Sequence, residues 1–143
     1  RGSDVAADWG AYHSELNYLG HDHGLKADLT AVENLRYAAA LRCRAQPQQI
    51  ALALERTGMS ESAGQLLRNL SAGQRRRVAL ARLALTGGAL WLLDEPGSNL
   101  DALGQTMLVN LIGGHLRAGG AAVVATHQAL DLPLAQLRSL SLQ

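Results

Sequence analysis

Apolar residues recur along this chain in two rhythms, and the points where one gives way to the other mark its organisation. Ala89 to Leu93 is an unbroken apolar run between Gly87-Gly88 and Pro96-Gly97, which predicts a strand buried on both faces. From Ala102 to Arg117 the positions Leu103, Met107, Leu108, Leu111, Ile112 and Leu116 return at helical spacing, with Asp101 as N-cap and Gly119-Gly120 as the stop. Ala121 to Ala125 predicts a second buried strand. Strand, helix and strand in that length predict a right-handed βαβ unit with parallel pairing.

Upstream the rhythm is mostly helical. Leu16 to Leu19 reads as a short strand ending at Gly20-His21, after which Thr30 and Glu33 have the spacing of a capping box that opens a helix. Helical signals run from Leu35 to Arg44, Gln48 to Thr57 and Ser60 to Leu67, with Pro47 and Gly58 as breakers. A further helix begins after Ser71 and is largely apolar through Val78, Leu80, Ala81, Leu83, Ala84 and Leu85. Its first turn breaks a local rule. Arg75, Arg76 and Arg77 crowd the end of the helix dipole where cations are disfavoured.

Candidate chemistry sits at the boundaries of these elements. Ser71, Ala72 and Gly73 carry little bulk, so backbone N–H groups at the helix start can approach an anion; the plainer reading of Ser71 is an N-cap. Asp94 and Glu95 stand at the carboxyl end of the predicted strand, the edge where open α/β sheets bind ligands. Adjacent acids on a strand point in different directions, which permits one to hold Mg²⁺ and the other to polarise an attacking water. Thr126-His127 ends the following strand at the same edge. His21-x-His23 has no third ligand at metal spacing beyond Asp22 and the distant Asp28, so it is not read as a metal site.

Three segments in order, Leu70-Ser71-Ala72-Gly73-Gln74, then Leu90 to Glu95 followed by Pro96, then Ser98-Asn99-Leu100-Asp101, resemble the signature motif, Walker B strand and D-loop of ATP-binding cassette (ABC) ATPases. Gly97-Ser98-Asn99 departs from the family's usual aromatic-Thr/Ser-Ala. The resemblance implies an α/β fold: the C-terminal two-thirds of an ABC-type P-loop NTPase, with a RecA-like parallel sheet and a helical subdomain, and without the P-loop strand. It divides residues 1–143 into a helical subdomain at about 24–70 and a core at 71–143. It implies ATP and Mg²⁺ as cofactors, Glu95 as general base, His127 as the switch histidine at the terminal phosphate, and Asp94 in the Mg²⁺ shell. His21 takes the Q-loop position, where most members carry Gln. Ser71, Ala72, Gly73, Gln74 and Asp101 complete the nucleotide contacts, the signature cradle serving the site of a second copy, head to tail. Tyr18-Leu19-Gly20-His21, Gly24-Leu25-Lys26, Leu29 to Leu35 and Ala125-Thr126-His127-Gln128 look like the ATP-binding subunits of the haem-handling exporters of cytochrome c maturation.

Composition adds bounds. The chain has 143 residues, 48% hydrophobic, enough for one core, and a net charge of +1 gives no reason to invoke nucleic acid or anionic lipid. Cys43 is the single cysteine, and Arg1 to Gly10 has no signal-peptide pattern. Lys26 is the single lysine and lies outside any Gly-x-x-x-x-Gly-Lys, so the sequence holds no phosphate-binding P-loop. The expectation is a piece of a longer subunit, inactive alone, that works peripherally on the cytoplasmic face of the inner membrane with membrane-spanning transporter subunits. A non-transport ABC protein and a non-catalytic interaction fragment are the alternatives; no coiled-coil insertion, tandem cassette or basic stripe favours the former.

Overall fold

The computed structural model describes residues 9–20, 24–127, 130 and 132. In chain order these form helix α1 (Trp9–Glu15), strand β1 (Leu16–Leu19), helices α2 (Ala31–Arg42), α3 (Pro47–Arg56) and α4 (Ala72–Thr86), strand β2 (Leu90–Asp94), helix α5 (Ala102–Arg117) and strand β3 (Ala121–Ala125). β2 is central, and both neighbours run parallel to it, with Leu19 opposite Leu93 and Asp94 opposite Ala125. The carboxyl ends of the three strands therefore share one edge. β1, α5 and β3 match the predicted bounds, whereas β2 is shifted by one residue and takes Asp94 into the strand.

Two apolar clusters hold these elements. One joins Ala31 and Leu35 of α2, Ile50 and Leu54 of α3, Met59, Leu67 and Leu70 to Val78 and Ala81 of α4. The other joins Leu19, Trp91 and Leu93 of the sheet to Ala79, Leu80 and Leu83 of α4 and to Leu108 and Ile112 of α5. Helix α4 thus belongs to both. Its C-terminal end is anchored by the buried Asn17, whose Nδ2 donates to the carbonyls of Leu83 and Gly87 and to Thr86 Oγ1, at 2.7–3.1 Å. Carbonyls left over at a helix end need such donors.

Burial corrects the prediction for both strands. In β2, Trp91 and Leu93 are covered while Leu90, Leu92 and Asp94 are half-buried. In β3, Ala121, Val123 and Ala125 are exposed and Ala122 and Val124 half-buried, Val123 being 59% exposed. Among the described residues α4 and α5 cover one face of the sheet, and β3 is an edge strand. An all-apolar run carries no alternation, so it cannot say which face is covered.

The predicted helix at Ser60 to Leu67 is also corrected. That stretch is a series of turns, followed by a short 3₁₀ turn at Leu67–Asn69. Its backbone is committed elsewhere: the carbonyls of Gln65 and Ala63 accept from the amides of Ala31 and Val32, and the Leu67 amide donates to Leu29. The first amides of α2 have no partner inside the helix, so the turn segment satisfies them at the cost of its own helicity. Pro47 begins α3 instead of only separating helices, as a residue without an N–H suits a first helical position.

The capping box at α2 is present. Thr30 Oγ1 accepts from the Glu33 amide at 3.2 Å, and Glu33 Oε2 accepts from the Thr30 amide at 2.8 Å, which holds the Glu33 carboxyl below the usual range. Thr30→Ala is expected to lower stability by about 1 kcal/mol and Thr30→Ser to leave it nearly unchanged, read from urea unfolding midpoints.

Candidate functional site

The start of α4 is built by a second capping box. Ser71 Oγ accepts from the Gln74 amide at 3.1 Å and Gln74 Oε1 accepts from the Ser71 amide at 2.9 Å. The plainer reading of Ser71 is therefore correct as structure, and it does not exhaust the site. With Gln74 satisfied, the Ala72 and Gly73 amides remain as helix-start donors without partners inside the helix. Gly73 is small for a tertiary reason: a Cβ there would lie 2.6 Å from the carbonyl oxygen of Asn99. Asn99 itself adopts φ of 62°, a left-handed conformation that asparagine tolerates. Together with Gly58 and Met59, residues Ser71, Gly73, Gln74, Arg77, Asn99 and Asp101 line a cavity of about 380 Å³.

Of the three arginines that break the dipole rule, Arg75 has a local partner and Arg76 and Arg77 have distant ones. Arg75 donates to the Leu70 carbonyl at 2.5 Å. Arg76 is buried, donating to the carbonyl of Gly20 at 3.2 Å and to Ser98 Oγ at 2.6 Å. Burial pushes its pKa down, opposed by the charges of Asp94 and Glu95. Arg77 donates to the Thr57 carbonyl at 3.3 Å and pairs with Asp101 at 2.6 Å. Asp101 also caps α5, accepting from the Gly104 amide at 2.8 Å.

At the carboxyl edge of the sheet, Glu95 and His127 meet. Glu95 Oε1 accepts from the His127 amide at 3.0 Å and lies 2.8 Å from His127 Nδ1, while Thr126 Oγ1 is 3.4 Å from Oε2. The Glu95 amide donates to the carbonyl of Ala125 at 2.8 Å, which carries the ladder of β2 and β3 one step past the strands. The His127 ring, followed by desolvation in the opposite direction and by the His127 amide, sets the balance that holds the Glu95 carboxyl below its ordinary range. Glu95 has φ of 45°, which is uncommon for a residue with a Cβ. Asp94 ends β2 half-buried.

The predicted residues thus fall into two groups. Ser71, Gly73, Gln74 and Asp101 surround one cavity, with Ala72 between them in the chain; Glu95 and His127 form a hydrogen-bonded pair beside Asp94, and neither they nor Asp94 line that cavity. His21 and the His21-x-His23 pair lie outside the described residues. Sequence reasoning missed Arg76, Arg77 and Asn99 as site-building residues. The signal for the arginines was present as the unfavourable cluster at a helix start. Among the described residues no group of three His, Cys, Asp or Glu side chains is placed to hold a metal ion, and no helix is long and apolar enough to cross a membrane.

Comparison with known proteins adds independent findings. The family model for "ABC transporter" matches residues 1–98. The chain is 49% identical over 128 residues to the cytochrome c biogenesis ATP-binding export protein CcmA of Xanthomonas campestris, covering 90% of this chain and 60% of that protein. It is 49% identical over 130 residues to CcmA of Cupriavidus pinatubonensis, covering 90% of this chain and 58% of the relative. The chain therefore spans about 60% of the length of the curated relatives it matches. Among solved structures, the ATP-binding cassette MJ0796, a post-hydrolysis dimer bound to ADP and phosphate, superposes with a TM-score of 0.75 at 22% identity, covering 89% of this chain and 58% of that one. An ATP-binding subunit of an ABC transporter gives a TM-score of 0.76 at 20% identity, covering 88% and 54%. The α/β fold with its parallel sheet is shared with both.

Asp101 gives this region a pH signature. The Gly104 amide, then Arg77, hold its carboxyl below the ordinary range. A carboxylate with a lowered folded-state pKa contributes stability that is complete at neutral pH and is lost as pH falls through the lowered value. Asp101→Asn keeps an acceptor for the cap and loses the ion pair. Its urea midpoint should fall below the parent's at neutral pH, and the gap should close as the solution is acidified below the usual aspartate range.

Proposed function

The chain belongs to the ABC transporter family, and we propose that it is the part of an ATP-hydrolysing exporter subunit of cytochrome c biogenesis that carries the signature turn, the paired carboxylates and the switch histidine. The observation that carries this reading is the closure of Glu95 on His127 across the edge of β2 and β3. It gives a carboxylate that is ionised at neutral pH and oriented by a neighbour, as a residue that polarises water for phosphoryl transfer must be.

The residues fit the nucleotide and its metal. The helix start at Ala72 and Gly73, with Gly73 lining a cavity shared with Arg77, suits an anionic phosphate. Asp94 at the strand end offers the oxygen ligand a hard divalent cation prefers. When bound, Mg²⁺ supplies neutralisation of charge on the transferring phosphoryl group. In this assignment Asp94 holds the cation, Glu95 accepts the proton of the attacking water at its carboxylate, and His127 fixes the orientation of Glu95 and senses the terminal phosphate. His21, Ser71, Gln74 and Asp101 are assigned to the nucleotide contacts.

The separation of the cavity from Glu95 and His127 supports a head-to-tail pair of copies, in which Ser71 of one copy faces the nucleotide of the other. One of the structural relatives, the cassette MJ0796, is itself a dimer. The boundary near residue 70 then divides a helical block, which docks on membrane-spanning partner subunits, from the nucleotide core, the whole lying peripherally on the cytoplasmic face of the inner membrane. Since these residues include no P-loop lysine, they are expected to show only background hydrolysis by themselves.

Two substitutions in a full-length subunit test the assignment. Glu95→Gln keeps shape and removes the base; nucleotide should bind with parental affinity while kcat falls by about a hundredfold or more, and turnover at the parental rate would refute the role of Glu95. Ser71→Arg places bulk in the cradle. Nucleotide binding to the monomer should persist while ATP-driven dimerisation, followed by light scattering, is lost; dimerisation at parental ATP concentrations would refute the cradle.

A further inference from the structure

Strand β1 is paired to β2 along one edge, and guanidinium groups close the other. Arg42 of α2 donates to the carbonyl of Leu16 at 2.5 Å, Arg82 of α4 to Tyr18 at 3.2 Å, and Arg76 of α4 to Gly20 at 3.2 Å. Alternate residues of a strand present their carbonyls to the same side, so the three arginines occupy successive rungs of one edge. This replaces a strand partner by fixed cations and protects the edge from pairing with another chain.

Arg76 does more than close a rung. Its second arm leaves the sheet and donates to Ser98 Oγ at 2.6 Å, in the turn that follows the paired carboxylates. The side chain is 1% exposed and its Nε has no hydrogen-bond partner. Burying an incompletely satisfied guanidinium is expensive, and an apolar side chain of similar volume is often as stabilising or more so. Fold stability is therefore a poor reason for arginine at this position. A better reason lies at the far end of the second arm. The Ser98 amide donates to the Glu95 carbonyl at 3.1 Å, closing the turn in which Glu95 takes its φ of 45°. A left-handed conformation at a residue with a Cβ persists only when its surroundings impose it.

We propose that Arg76 is a positioning residue for hydrolysis: by holding Ser98 against the end of β1, it keeps Glu95 in the left-handed conformation that presents its carboxylate to His127. The proposal rests on the reading of the chain as part of an ATPase subunit. Through this strut the signature helix α4, the end of β1 and the turn after β2 move as one unit, so displacement of α4 displaces the carboxylate that polarises water.

The test is a KM-against-kcat comparison in the full-length subunit for Arg76→Met, Ser98→Ala, their combination and Ser98→Thr. Arg76→Met should lower kcat about ten- to a hundredfold, the scale of a misplaced catalytic group, with the unfolding midpoint unchanged or raised and KM for ATP little altered. Ser98→Ala should reproduce part of the loss, Ser98→Thr should restore it by returning the hydroxyl, and the double variant should fall no further than Arg76→Met. Hydrogen exchange at the His127 amide, bonded to Glu95, should accelerate in Ser98→Ala while exchange within α4 stays as in the parent. Should Arg76→Met fail to fold, the Ser98→Ala and Ser98→Thr pair with the exchange measurement decides the matter. Parental kcat in Ser98→Ala, a kcat loss that tracks a fall in midpoint, or a loss that Ser98→Thr does not restore overturns the proposal. A parent without ATP turnover would instead overturn the ATPase reading.

Discussion

Helix α4 must be buried on two sides at once, and the rest of the structure follows from that constraint. Val78 and Ala81 complete the cluster of α2 and α3, while Ala79, Leu80 and Leu83 complete the cluster of the sheet and α5. A helix in that position has little polar face to give, and three of its four charged residues gather near its start, Arg82 being the exception. There the dipole disfavours arginine by a few tenths to about 1 kcal/mol each at exposed positions. For Arg77 the opposing gain is tertiary, charge-assisted bonds to Thr57 and Asp101, and for Arg75 it is local, a bond to the Leu70 carbonyl; Arg76 is turned inward to Gly20 and Ser98. A local rule is broken at the helix that joins two cores, where outside partners are at hand.

The same helix links the two candidate half-sites. Its N-terminus forms one wall of the cavity at Ser71, and the Asn99 carbonyl approaches Gly73 so closely that any larger residue would push the turn away. That turn continues from Glu95, whose carboxylate reaches His127 at the end of β3. Position therefore passes from the signature segment through a backbone contact at Gly73 and Asn99 and an ion pair at Arg77 and Asp101 to the start of α5. Rigid packing of this kind transmits displacement because well-packed interiors yield little.

The sheet presents the opposite case. Its α4 and α5 face is packed, while Tyr18 and Val123 remain more than half exposed at 55% and 59%. β1 has its outer carbonyls met by arginines, whereas the described residues place no such groups along β3. Strand apolarity at these positions is far greater than the exposure among the described residues calls for, and the relatives that share this fold are longer chains.

Much of this was legible in the amino-acid sequence because it rests on short-range physics. The capping box at Thr30, the N-caps at Ser71 and Asp101, the bounds of β1, α5 and β3, and the placing of Asp94, Glu95 and His127 at strand ends follow from residue spacing and from local backbone preference. What the sequence could not decide are matters settled by distant groups. Ser60 to Leu67 has helical composition, yet its carbonyls are taken by α2. The apolar runs of β2 and β3 hide which face is covered, since without alternation there is no phase to read. Arg76 looks like a charge on a helix start, and only the approach of Gly20 and Ser98 from far along the chain makes it a buried strut. Spacing determined which groups this protein possesses and at which ends of its elements they stand; tertiary structure alone decided which of them touch, because hydrogen bonds between distant segments exist only once the chain has closed upon itself.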